Sequence, residues 1–141
     1  MTANLFTINQ HLQPHEVRRV LLIEDNDVNR MLLSDYLSYY GYDVQSLSKG
    51  SSFFATVDKF QPELMLLDLK LPDIDGYSLL KQIQQRPDIS KIPIIVVSGF
   101  AFKADQERAM GLGARHYFVK PVNLQELIIR IEQEFTDRSV I

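Results

Sequence analysis

Between residues 17 and 119 a short apolar run returns five times, and a segment with apolar residues at helical spacing follows each one. The runs occupy residues 17–23 (VRRVLLI), 42–47, 63–68, 92–98 (IPIIVVS) and 115–119. Helical segments fall at 27–40, where Asn29, Leu33, Tyr36, Leu37 and Tyr40 share a face, and at 51–60, 77–85 and 103–112. Asn123 caps a last helix whose stripe is Leu124, Leu127, Ile128, Ile131 and Phe135. Gly41, Pro62, Pro87, Gly111 and Gly113 mark the stops. A β-α unit repeated five times predicts an α/β fold, a five-stranded parallel sheet doubly wound as (βα)5 with helices on both faces. Runs that are apolar throughout, rather than alternating, agree with strands buried on both sides.

Composition narrows the function. A chain of 141 residues with 45% hydrophobic and 23% charged residues is expected to be one soluble domain. A net charge of −3 speaks against a nucleic-acid surface, and the absence of cysteine rules out disulfides and thiolate metal sites. The apolar runs are too short to span a bilayer, and residues 1–16 lack a basic start followed by an apolar block, so a cytoplasmic chain with no membrane partner is expected. Residues 1–16 read as a flexible extension, 17–136 as the domain and 137–141 as a C-terminal tail.

In open α/β sheets the binding crevice lies at the carboxyl ends of the strands. There the first run ends in Glu24-Asp25, the third in Asp68, the fourth in Ser98-Gly99, and the fifth is followed by Lys120-Pro121. Asp68 is the odd one, a carboxylate straight after LMLL. Three carboxylates cannot all ionise at close range in a partly buried site without a cation. An all-oxygen donor set suits a hard ion such as Mg²⁺, which tends to share an anionic phosphate ligand. Lys120 would neutralise another oxygen as a point charge, Ser98 would donate a hydrogen bond, and Gly99 leaves room beside it. In such a setting an aspartate can itself attack a phosphoryl group, which makes Asp68 a candidate nucleophile.

The motifs IEDN at 23–26, LLDLKLPDIDG at 66–76, VVSG at 96–99 and YFVKPV at 117–122, in this order and spacing, resemble the receiver domain of two-component response regulators over about residues 18 to 136. The resemblance implies a flavodoxin-like strand order 2-1-3-4-5. It implies that Asp68 accepts a phosphoryl group from a histidine kinase or phosphotransfer protein. Mg²⁺, or Mn²⁺ in its place, would be bound by Asp25, Asp68 and the backbone carbonyl of Lys70, with Glu24 in the same acidic pair. Ser98 would bond the phosphoryl group, Tyr117 would turn inward as Ser98 moves, and Lys120, before a cis peptide to Pro121, would pair with phosphoryl oxygens. Kinases would dock near the first helix and the loop after the fifth strand. An unknown protein target, or a weak homodimer of an otherwise monomeric chain, would use the fourth helix, fifth strand and fifth helix, about residues 102 to 135. Lys70 and Phe100 flank the phosphoryl site as tuning positions, and a bulky Phe100 is expected to hinder the water that ends the phosphorylated state. Such a protein turns over no metabolite; its chemistry is its own phosphorylation and dephosphorylation.

Competing readings are weaker on the residues. A haloacid-dehalogenase-type aspartyl-phosphate phosphatase resembles DxDx[TV], which Lys70 breaks, and a nucleotide or flavin binder would not place Glu24-Asp25-Asn26-Asp27 where a phosphate loop belongs. A receiver piece of a hybrid histidine kinase or larger regulator also fits the EDN–VNR wording at 24–30. Asp73 and Asp75 read as turn formers and a helix cap, His116 as a surface or packing residue, and the tyrosines at 36, 39, 40 and 42 as helix-edge packing. His11 and His15 have a four-residue spacing that Pro14 interrupts. Phe100 and Phe102 fit either a partner patch or a cover over the site.

Overall fold

A computed structural model describes residues 17–139; the extension and the histidines at 11 and 15 lie outside the described residues, as do residues 140–141. The elements alternate as expected: β1 (Arg19–Ile23), α1 (Asp27–Tyr39), β2 (Asp43–Leu47), α2 (Phe53–Phe60), β3 (Leu64–Leu67), α3 (Gly76–Gln84), β4 (Ile94–Ser98), α4 (Lys103–Gly111), β5 (His116–Val119) and α5 (Leu124–Ser139). The last helix runs to Ser139, past the boundary expected at 136. The sheet is parallel throughout, in the order β2-β1-β3-β4-β5.

The two faces of the sheet follow from the period-two direction of strand side chains. Leu21, Ile23, Met65, Leu67, Ile94 and Val96 point to one face, where α2, α3 and Ala109 of α4 cover them. Val20, Leu22, Leu64, Leu66, Ile95 and Val97 point to the other, under α1 and α5. Each fully buried leucine contributes roughly 1.5–3 kcal/mol of transfer free energy. Side-chain caps start three helices: Asn26 accepts from the Asn29 amide, Asp75 from the Tyr77 amide and Asn123 from the Glu126 amide. β4 starts two residues after the expected Ile92, because the Ile92 amide bonds Ile89 and stays with the preceding loop.

Order reverses at β1, whose neighbours are β2 and β3, and this opens the crevice above the strand ends. Gly76 fixes the wall beside it. Its amide donates to the Leu69 carbonyl at 2.9 Å, and a Cβ there would stand 2.4 Å from the Leu69 Cα, so only glycine lets α3 begin this close to the strand end.

Candidate functional site

Three backbone bonds carry the ladder one residue past the strands and place the key side chains. The Glu24 amide donates to Leu47, the Asp68 amide to Ile23 and the Lys120 amide to Ser98, at 2.9, 3.0 and 2.8 Å. Glu24 and Asp68 are thereby buried, at 1% and 4% exposure, in surroundings that would reject an unpaired charge. Lys120 answers both. Its Nζ lies 2.7 Å from Glu24 Oε1 and 2.9 Å from Asp68 Oδ2. Asp68 Oδ1 accepts from the Lys70 amide at 3.0 Å, and Glu24 Oε2 accepts from the Asn26 amide at 3.0 Å.

Asp25 completes the group: carboxylate oxygens of Glu24, Asp25 and Asp68 lie within 4.8 Å of one another. One ammonium faces three carboxylates. Burial raises the Glu24 carboxyl above its ordinary range, and Asp68 beside it adds to the rise although Lys120 and the Asn26 amide oppose it. Burial pulls Lys120 down, but bonds to Glu24 and Asp68 outweigh it and leave the ammonium held above its ordinary value. An oxygen-only cluster with this charge deficit fits a hard divalent cation.

Ser98 is fully buried at the end of β4, and its Oγ accepts from the Phe100 amide at 3.1 Å. The Tyr117 hydroxyl donates to the Phe100 carbonyl at 2.7 Å, and burial raises its pKa while a bond with Ser98 opposes the rise. The space beside Gly99 is open, with nothing within 4 Å of where a Cβ would stand. The two phenylalanines part company: Phe100 packs against the core, whereas Phe102 is 79% exposed. The Lys120-Pro121 peptide is cis.

The residues singled out from sequence thus gather at one edge: Glu24, Asp25, Asp68, Lys70, Ser98, Tyr117 and Lys120. Asp75 is a cap, and Asp73 accepts from the Gly50 amide at 2.8 Å, so both serve the loops. His116 bonds the buried Glu134 at 2.9 Å. Tyr36 and Tyr40, and Tyr39 and Tyr40, pair their rings along α1. Two groups escaped the sequence reading. Arg30 donates to the carbonyls of Glu24 and Asp25 at 2.9 and 3.3 Å, and a cation in the first turn of a helix, where the dipole disfavours it, is a signal visible in sequence. Tyr77 of α3 donates to Asp105 of α4 at 3.0 Å under the Arg108 guanidinium, 4.0 Å from the ring centre, and no spacing announces that contact.

Comparison with known proteins agrees with this geometry. The profile of the response regulator receiver domain family matches residues 20–132. The transcriptional regulatory protein GltR of Pseudomonas aeruginosa is 36% identical over 115 residues, which are 82% of this chain and 48% of that regulator, so the chain spans about half its length. The polar-differentiation response regulator DivK of Brucella anthropi is 29% identical over 120 residues, covering 85% of this chain and 98% of DivK. Among solved structures, the receiver domain of the sensor histidine kinase PA1611 from Pseudomonas aeruginosa superposes with a TM-score of 0.75 at 28% identity, over 83% of this chain and 96% of that one. Its active-site cleft holds a coordinated magnesium ion.

Proposed function

The chain belongs to the response regulator receiver domain family, and on that premise we propose that it is a Mg²⁺-dependent phosphoacceptor switch, with Asp68 taking a phosphoryl group from a histidine kinase or phosphotransfer protein. The observation that carries this is the buried Asp68 carboxylate with Lys120 at 2.9 Å, inside a three-carboxylate cluster that one ammonium cannot neutralise. Asp25, Asp68 and Glu24, with the Lys70 carbonyl, would hold the cation, which when bound would offset the charge of the incoming phosphoryl oxygens.

The residues divide the remaining work. An oxygen of Asp68 attacks phosphorus as the donor's P–N bond breaks, and the electron pair of that bond stays on the imidazole nitrogen. Before transfer, the Lys120 ammonium pairs with the Asp68 carboxylate; after it, the ammonium pairs with a phosphoryl oxygen. Ser98 gives up the Phe100 amide and donates its hydroxyl to another oxygen. Tyr117 follows, because its hydroxyl rests on the Phe100 carbonyl in the segment that Ser98 pulls. Val28, Met31 and Leu32 of α1, all more than half exposed beside the acidic loop, offer the docking face for the donor. Phe102, just before α4, and Met110 on it stand exposed on the output side, where a target or a second copy would read the change. Phe100, two residues past Ser98, would slow attack by water, and Lys70, two past Asp68, would tune the same step.

Signalling through protein contacts, as a switch acting in the cytoplasm, is supported by the match over nearly all of DivK. A receiver working within a hybrid kinase or larger regulator is the second reading, favoured by the half-length match to GltR. An immunoblot of the polypeptide's size in its own cells separates them. The function itself is tested by intact mass after incubation with a small phosphodonor. A single adduct that needs Mg²⁺ and is absent from Asp68→Asn is expected; no adduct, where a control receiver is labelled, would refute the switch.

A further inference from the structure

Resting on the phosphoacceptor function proposed above, we infer that Arg30 is a positioning residue for the divalent cation: its guanidinium grips the backbone of the β1–α1 loop and so sets where the Asp25 carboxylate stands. The three carboxylates are not held alike. Glu24 is fixed by Lys120 and the Asn26 amide, and Asp68 by Lys120 and the Lys70 amide. The exposed Asp25 side chain has no hydrogen-bond or ion-pair partner among the described residues. Its place is therefore decided by its main chain.

Beside the Glu24 amide on Leu47 and the Asn26 amide on Glu24, that main chain is held by Arg30. Nη1 donates to the carbonyls of Glu24 and Asp25 at 2.9 and 3.3 Å, while Nη2 pairs with Asp27 at 2.6 Å. The Arg30 amide also donates to the Asn26 carbonyl at 2.9 Å, so one residue holds the loop from Glu24 to Asp27. The Arg30 side chain is only 22% exposed, laid into the loop rather than extended into water. A planar fork can serve two carbonyls and a carboxylate at once; an ammonium offers no such fixed geometry. Fixing a ligand before the ion arrives removes an ordering cost from binding.

The charge of Arg30 works the other way. A cation near the acidic cluster repels a second cation, and one in the first turn of α1 opposes the helix dipole. The positioning role and the bare field therefore predict opposite signs. Calorimetric titration of Mg²⁺ into the full chain, for wild type, Arg30→Lys and Arg30→Gln, reads that sign. It is run at a temperature where circular dichroism shows all three folded, with Tm recorded alongside. Both variants should bind Mg²⁺ roughly ten-fold more weakly, the size expected when a group that orients a metal ligand is removed. Tighter binding in Arg30→Gln, full affinity in Arg30→Lys, or a lower Tm with unchanged affinity would each overturn the role. If the wild type takes up no Mg²⁺, the phosphoacceptor function fails and the role of Arg30 falls with it; equal binding by all three refutes Arg30 alone.

Discussion

Helices α3 and α4 have the same length, nine residues, and follow the two strands that carry Asp68 and Ser98, yet they are attached to the sheet in different ways. α3 buries Gly76, Tyr77, Leu79, Leu80 and Ile83, starts against the Leu69 backbone and is anchored in the core. α4 buries only Ala109, and its other ties are polar: Asp105 bonded to Tyr77 and Arg108 laid over the Tyr77 ring. Asp68, the proposed acceptor, is thus followed by the well-buried helix, and Ser98, which would bond the phosphoryl group, by the sparsely buried one. Segments that move in switches come from the low-stability end of a structure, and few buried apolar contacts are what places a segment there.

The largest expected break in this contrast is Leu80→Ala, which opens a cavity under α3 and should cost about 2–5 kcal/mol in urea unfolding. A smaller loss would mean that α3 is not the stiff anchor. Next comes Tyr77→Phe, which removes the hydroxyl bonded to Asp105 and should cost about 1 kcal/mol. Hydrogen exchange should then quicken in the amides of α4 and leave those of α3 unchanged; equal acceleration in both would erase the distinction between the helices. Burial and the bond to Asp105 push the Tyr77 hydroxyl up to about 12, so it stays protonated as donor well above neutral pH.

Lys120 gives the surroundings of Asp68 a pH signature. Its pKa is raised on folding, so the stability it contributes is present below the ordinary lysine pKa and is lost as pH rises through the folded value. The Tm gap between wild type and Lys120→Met should therefore narrow as pH climbs above about 10.5, the unfolded lysine value. A gap that stays constant would mean that the ion pairs with Glu24 and Asp68 do not couple to folding. The smallest effect is expected from Met110→Ala on the exposed side of α4, within about 0.5 kcal/mol of wild type.

Strand runs such as VLLI, LMLL and IIVV were legible because burial on both faces leaves an unbroken apolar record. The site was legible for a related reason: Glu24, Asp68, Ser98 and Lys120 are polar interruptions at strand ends, where a core offers no use for them. What escaped was the pairing among distant residues. Nothing local says that Lys120 reaches both Glu24 and Asp68, or that Tyr77 meets Asp105, since those meetings depend on loop paths and helix placement. Phe100 and Phe102 look alike as letters, yet one packs against the core and the other stands exposed at the start of α4. The edges of elements shifted by a residue or two where a cap or turn, as at Ser52 before α2, claimed the terminal position.

The bonds that seat Glu24, Asp68 and Lys120 just beyond their strands have a consequence for the life history of the chain. Asp68 leaves the ribosome long before Lys120, which follows the final strand. A chain that stopped short of β5, or a product clipped before it, would present the aspartate without its counter-charge. On the proposed function, chemical competence waits in this way until the polypeptide has placed β5 and the lysine after it.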